Sequence, residues 1–175
     1  MRYQYNLLIL FSLIFLSQEK NLRVLAEEEF EFDGKYKDGK ADGIGTAKFK
    51  NGNIYNGKFK EGRIEGEGVM KYKDGQKYDG EFRNNLRDGK GRYFYKNGDR
   101  YEGEWRNGKK EGKGIYYWPD GDRYEGEFKN DKREGKGVYY WNDGDRSMGD
   151  YVNDKEVGLH VRLDKAGHVI EKYYE

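Results

Sequence analysis

The chain has 175 residues, 34% hydrophobic and 38% charged, with 34 basic against 33 acidic side chains and a formal net charge of +1. That length suits one domain, and so even a charge balance leaves no electrostatic footprint for nucleic acid. The absence of cysteine excludes disulfides, thiolate catalysis and Cys-type zinc sites.

Low hydrophobicity with high charge often means disorder, but aromatic residues make up 17% of the chain, and disordered chains are poor in them. The apolar material is concentrated in Tyr, Phe and Trp, which suits a thin sheet with one narrow apolar face. In chain order, the first element is an apolar run at residues 7–17, Leu-Leu-Ile-Leu-Phe-Ser-Leu-Ile-Phe-Leu-Ser. It is too short for a membrane-spanning helix, which needs about 20 residues. Arg2 precedes it, so residues 1–26 read as a signal peptide or N-terminal hydrophobic segment, a short signal-like helix. Cleavage after Ala26 would place Val24 and Ala26 at the small-residue positions, although Glu19, Lys20 and Arg23 make the site imperfect. The expected localisation is export, to a periplasm, cell envelope or extracellular space; the alternative is a membrane anchor formed by this segment.

From residue 30 to 175 a 23-residue phrase takes over. Its first residue falls at Phe32, Tyr55, Tyr78, Tyr101 and Tyr124, and a degenerate sixth copy starts at Ser147. A first glycine recurs at Gly34, Gly57, Gly80, Gly103, Gly126 and Gly149, and a second at Gly43, Gly66, Gly89, Gly112, Gly135 and Gly158. No insertion interrupts the register, which marks a repeat array in which each unit packs mainly on its neighbours. In each unit Tyr101, Gly103 and Trp105 alternate with Glu102, Glu104 and Arg106, a strand with one packed and one wet face. Gly114, Tyr116 and Trp118 repeat the pattern in a second strand. Asn51-Gly52, Asp74-Gly75, Asn97-Gly98, Asp120-Gly121 and Asp143-Gly144 then supply hairpin turns, read here as type I′-like. A terminal half-repeat over residues 170–175 adds a last strand.

The glycines suggest a register. Arg106 opposite Lys113 would set Trp105 against Gly114, Gly103 against Tyr116 and Tyr101 against Trp118. Each strand glycine would then lie between aromatic rings, which cover its bare backbone. The expected fold is all-β, an elongated single-layer antiparallel sheet of tandem hairpins about 50–60 Å long.

Units reading Tyr-x-Gly-x-Trp/Phe, then Gly-x-Gly, an aromatic and Asp-Gly resemble the MORN repeat (membrane occupation and recognition nexus), over about residues 30 to 158. The resemblance implies a single layer of β-hairpins. It also implies kinship with scaffolds that tether or dimerise proteins near membranes, some of them linked to phosphoinositide lipids. Larger members carry a kinase or methyltransferase domain, for which this chain has no room.

Catalysis needs a nucleophile or proton shuttle with partners in reach. The two histidines, His160 and His168, sit in the degenerate tail, so no enzyme, cofactor or metal site is expected. His160 reads as a packing variant at a lost glycine position. Asp120-Gly121-Asp122 and Asp143-Gly144-Asp145 offer too few ligands for calcium and read as turns. The basic positions Lys35, Lys58, Arg83, Arg106 and Lys129 would suit lipid phosphates, but each repeat sets acids beside them.

The candidate binding face is aromatic: Tyr55, Tyr78, Tyr101, Tyr116, Trp118, Tyr124, Tyr139 and Trp141. Read as core, these rings only hold the sheet; read as function, they stay open to a partner. The expected function is a non-enzymatic protein-interaction scaffold, whose partner is another protein or its own copy. The alternatives are a membrane-surface or anionic-lipid binder and a glycan binder.

Overall fold

A computed structural model describes residues 30–175; the signal-like segment expected at 1–26 lies outside them. Thirteen strands form one open antiparallel sheet in which every strand pairs with its neighbours in sequence. They are β1 (Phe30–Lys37), β2 (Lys40–Phe49), β3 (Ile54–Lys60), β4 (Arg63–Lys71), β5 (Lys77–Arg83), β6 (Leu86–Phe94) and β7 (Arg100–Arg106). There follow β8 (Lys109–Tyr117), β9 (Arg123–Lys129), β10 (Lys132–Tyr140), β11 (Arg146–Val152), β12 (Lys155–Leu163) and β13 (Val169–Tyr174).

Two turn types alternate along the ribbon, at opposite ends of the strands. Within each unit the strands join through a two-residue turn with both residues at positive φ, as at Asn107 (48°) and Gly108 (82°). This is type I′ geometry, tolerated by Asn and Gly. Between units, the Gly121 N–H donates to the Trp118 carbonyl at 3.2 Å and the Trp118 N–H donates to the Asp122 carbonyl at 3.0 Å. Only Gly121 has a positive φ there, 99°, so the Asp-Gly turns are three-residue loops closing on a left-handed glycine. The type I′ expectation for Asp-Gly is thus corrected: that geometry belongs to the other end of the hairpins.

The register also differs from expectation. Gly103 faces Gly114, Tyr101 faces Tyr116 and Trp105 faces Lys110, not Gly114. The tight Asn107-Gly108 turn sets the first pairs, and a bulge then places Glu111, Gly112 and Lys113 opposite the single residue Glu104. Gly112 adopts φ +68°, and the Glu104 carboxylate occupies the space a side chain there would need. One unit earlier, Glu81 Oε1 accepts the Lys90 N–H at 2.8 Å in the same bulge. The second glycine column therefore serves the bulge.

The first glycine column pairs glycine with glycine across the sheet, as in Gly80–Gly91, Gly91–Gly103, Gly103–Gly114 and Gly114–Gly126. Rings still cover the bare backbone, but from along the strand. The Tyr101 ring lies over Gly103 and Gly114, and its hydroxyl donates to the Glu104 carbonyl at 3.1 Å. Tyr55, Tyr78 and Tyr124 lie over their own glycine pairs, and all four rings are fully buried.

These rings build the core without a second layer. Tyr101 meets Trp105 edge-to-face at 5.3 Å and Phe128 of the next unit at 5.0 Å. Tyr78 likewise bridges Phe82 and Trp105 at 5.0 and 5.3 Å. The zipper runs from Phe59 to Tyr151, each contact worth about 0.5–1.5 kcal/mol beyond burial. Cations close it from above: the Arg87 guanidinium lies 4.3 Å from the Trp105 ring centroid, and its Nη2 donates to the Gly108 carbonyl of the next unit at 2.6 Å. Arg87→Met keeps the stem and removes both interactions. It is expected to cost about 1–2 kcal/mol in urea denaturation followed by circular dichroism.

The degenerate sixth unit keeps this geometry by exchange. Ser147 has no ring to lay over Gly149, and His160, from the neighbouring strand, fills that space instead. His160 is fully buried, its Nε2 lies 3.0 Å from the Asp150 carbonyl, and Tyr173 of β13 stacks on it at 5.5 Å.

Candidate functional site

The eight candidate rings divide into two sets. Tyr55, Tyr78, Tyr101 and Tyr124 are 0% exposed and form the zipper, so they present no surface. Tyr116, Trp118, Tyr139 and Trp141 stay half-buried on the same face, nearer the three-residue loops. They belong to a second ladder that also takes in the half-buried Tyr72 and Tyr95 and the buried Tyr93. Successive centroids lie 4.6 Å (Tyr93–Tyr95), 5.7 Å (Tyr95–Tyr116), 4.8 Å (Tyr116–Trp118), 5.2 Å (Trp118–Tyr139) and 5.1 Å (Tyr139–Trp141) apart. The rings are tilted to one another by 39–57°.

The ladder has two alternating kinds of rung. Tyr93, Tyr116 and Tyr139 are anchored through their hydroxyls: Tyr93 donates to Gln76 Oε1 at 3.1 Å, Tyr116 to Asp99, and Tyr139 to Asp122 Oδ2 at 2.6 Å. Burial first, then the carboxylate acceptor, pushes the Tyr116 and Tyr139 hydroxyls well above the usual tyrosine range. In the last rung Arg162 takes the tyrosine's place, with its guanidinium 4.4 Å from the Trp141 centroid and Nη2 3.0 Å from Asp145 Oδ2. The other rungs, Tyr72, Tyr95, Trp118 and Trp141, sit at the loop ends and have no such anchor among the described residues.

Tyr72 and Tyr95 were absent from the candidate set, as were the acceptors Asp99 and Asp122. The clue available in the sequence was position: each ring is the last aromatic before a loop whose final residue is polar. The aspartates of those loops are engaged locally. Asp120 accepts the Asp122 N–H at 3.1 Å, and Asp122 Oδ1 accepts the Asn142 N–H at 2.9 Å. Among the described residues no group of three or more His, Cys, Asp or Glu side chains could hold a metal ion.

The opposite face is charged and internally paired. Arg83–Asp88, Arg92–Asp79, Arg100–Glu102 and Arg123–Glu125 lie at 2.8–3.5 Å. Phe94, Tyr117 and Tyr140 lie on this face beneath Lys77, Arg100 and Arg123. Such exposed pairs add little stability, but they set acids beside the cations that an anionic surface would need. No helix among the described residues is long and apolar enough to cross a membrane.

The family model of the MORN repeat matches residues 32–54, 55–77, 78–100, 101–123 and 124–146. No curated protein matches the chain. Among solved structures it is similar to the TCP domain of SAS-4 (dCPAP) from Drosophila melanogaster, in complex with a proline-rich motif of Ana2 (dSTIL). Identity there is 16% and the TM-score 0.48, over 87% of this chain and 93% of that one. It is also similar to the TCP10 domain of Danio rerio CPAP in complex with a STIL peptide, at 17% identity and a TM-score of 0.36, over 78% and 66% of the two chains. Similarity this loose says nothing of what the present chain binds.

Proposed function

Because the chain belongs to the MORN repeat family, we propose that it is a non-enzymatic docking scaffold that engages another protein through the half-buried aromatic ladder. The observation that carries this reading is the continuity of that ladder. Rings from Tyr72 to Trp141 line up across several repeats and, apart from the buried Tyr93, stay half-buried, while the zipper beside them already supplies most of the core. Tyr and Trp are the side chains most often found as anchors at protein interfaces, because they bury large rigid areas at low entropic cost. Export belongs to the same proposal and rests on the apolar run at residues 7–17.

The test compares the full chain with Trp118→Ala by cross-linking in its native setting. A specific protein is expected to be captured by the parent chain and lost with the variant, the circular dichroism spectrum being unchanged. An identical set of captured proteins, with binding instead to anionic vesicles or quenching by oligosaccharides, would overturn the reading.

A further inference from the structure

The unanchored rungs of the ladder carry a finer pattern. Among the described residues, the Trp118 and Trp141 indole N–H groups and the Tyr72 and Tyr95 hydroxyls meet no protein acceptor, and none of these atoms is sealed from solvent. The buried Trp105 behaves differently, since its indole N–H donates to the Gly91 carbonyl at 3.3 Å. Each repeat thus offers one half-buried ring and one unpaired donor from the same position.

The spacing of these donors selects an occupant. One repeat advances the sheet by two strands, about 9.6 Å at roughly 4.8 Å each. A polyproline II helix completes one turn of three residues in about 9.3 Å. Every third residue of such a segment would therefore meet an equivalent ring and donor. From Tyr72 to Trp141 there are three repeat intervals, spanned by roughly nine residues of that helix. Proline rings pack on aromatic faces, and the backbone of this helix is unpaired, so its carbonyls are free to accept.

Charge narrows the class further. The two loops beside the tryptophans each carry two aspartates and no cation, at Asp120 with Asp122 and at Asp143 with Asp145, whereas those beside Tyr72 and Tyr95 balance Lys73 against Asp74 and Lys96 against Asp99. Asp120 and Asp143 stand exposed at the loop tips. Arg162, stacked on Trp141 and paired with Asp145, shows that this ring-and-carboxylate arrangement already holds a guanidinium.

We infer that the column Tyr72, Tyr95, Trp118 and Trp141 binds a basic, proline-rich segment in the polyproline II conformation, its residues in register with the 23-residue repeat. This assignment rests on the docking-scaffold reading and adds the chemical class of the partner.

The probe is a fluorescein-labelled peptide of about twelve residues repeating Pro-Pro-Arg, titrated against the full chain by anisotropy. A peptide repeating Gly-Ser-Arg matches its charge without its stiffness, and one repeating Pro-Pro-Glu reverses the charge. The Pro-Pro-Arg peptide is expected to bind at least about tenfold more tightly than either control. Trp118→Phe and Trp141→Phe keep a ring and remove the N–H, and each is expected to weaken binding about fivefold. Should either variant lose its fold by circular dichroism, Asp120→Asn with Asp143→Asn tests the charge term on an unchanged ladder. Equal affinity for Pro-Pro-Arg and Gly-Ser-Arg, or no saturable binding of Pro-Pro-Arg, would overturn the assignment. If cross-linking captures a ladder-dependent partner that lacks a proline-rich segment, the scaffold reading survives and this one falls. If the peptide binds but no captured protein depends on Trp118, the class assignment stands and the scaffold reading falls.

Discussion

Gly114→Ala is expected to destabilise the array by about 3 kcal/mol, at the upper end for adding a single methyl group to a packed interior. The added Cβ would stand 2.5 Å from Cε2 and 2.6 Å from Cζ of Tyr101, and its nearest atoms, the hydroxyl oxygen included, all belong to that side chain. The ring cannot step aside, because Trp105 and Phe128 hold its two edges at 5.3 and 5.0 Å. Tyr101→Ala removes a fully buried aromatic ring and is expected to cost about 4 kcal/mol by itself. Combining the two changes should cost about 2 kcal/mol less than their sum, since the methyl group then enters space the ring has left. Urea denaturation of the two single variants and the double variant measures this coupling. Strict additivity would show that the ring does not occupy the glycine's missing volume.

Between pH 10 and 12 the array is expected to unfold in one cooperative step. Burial pushes the Tyr124 hydroxyl from 10.0 up to about 12, against the opposing pull of Arg133. Burial raises Tyr55, Tyr78, Tyr101 and Tyr151 in the same direction. An unfolded chain releases its tyrosine protons near pH 10, whereas the folded chain retains them. The stabilisation is therefore fully present below pH 10 and is lost as pH rises through the folded-state values. Tyrosinate absorbance and near-ultraviolet circular dichroism should change together and steeply. A gradual rise in absorbance centred near pH 10, with the dichroism unchanged, would mean that these rings already meet water.

Much of the fold was legible in the residues. The unbroken 23-residue period, the alternation of Tyr101-Gly103-Trp105 with Glu102-Glu104-Arg106, and the glycine-bearing turns together specify hairpins in a single layer. The family assignment follows from the same positions, and residues 32–146 match its model. His160 at a lost glycine position already looked like a packing substitution, and it fills the space that a ring takes in the other units.

The site was less legible because one flat list of rings hid two environments. Tyr101 and Trp118 look equivalent as aromatic residues two places from a glycine or another ring. Only the bulge at Glu111–Lys113, which shifts the second strand by two residues, puts Tyr101 opposite Tyr116 and leaves Trp118 at the loop end. Period-two alternation shows which face a side chain joins, but it is unchanged when a strand slides by an even number of residues. Local chemistry therefore determined the repeat, the layer and the apolar face. Which rings become sealed core and which remain open rungs was decided by cross-strand register, since burial depends on neighbours that only pairing brings together.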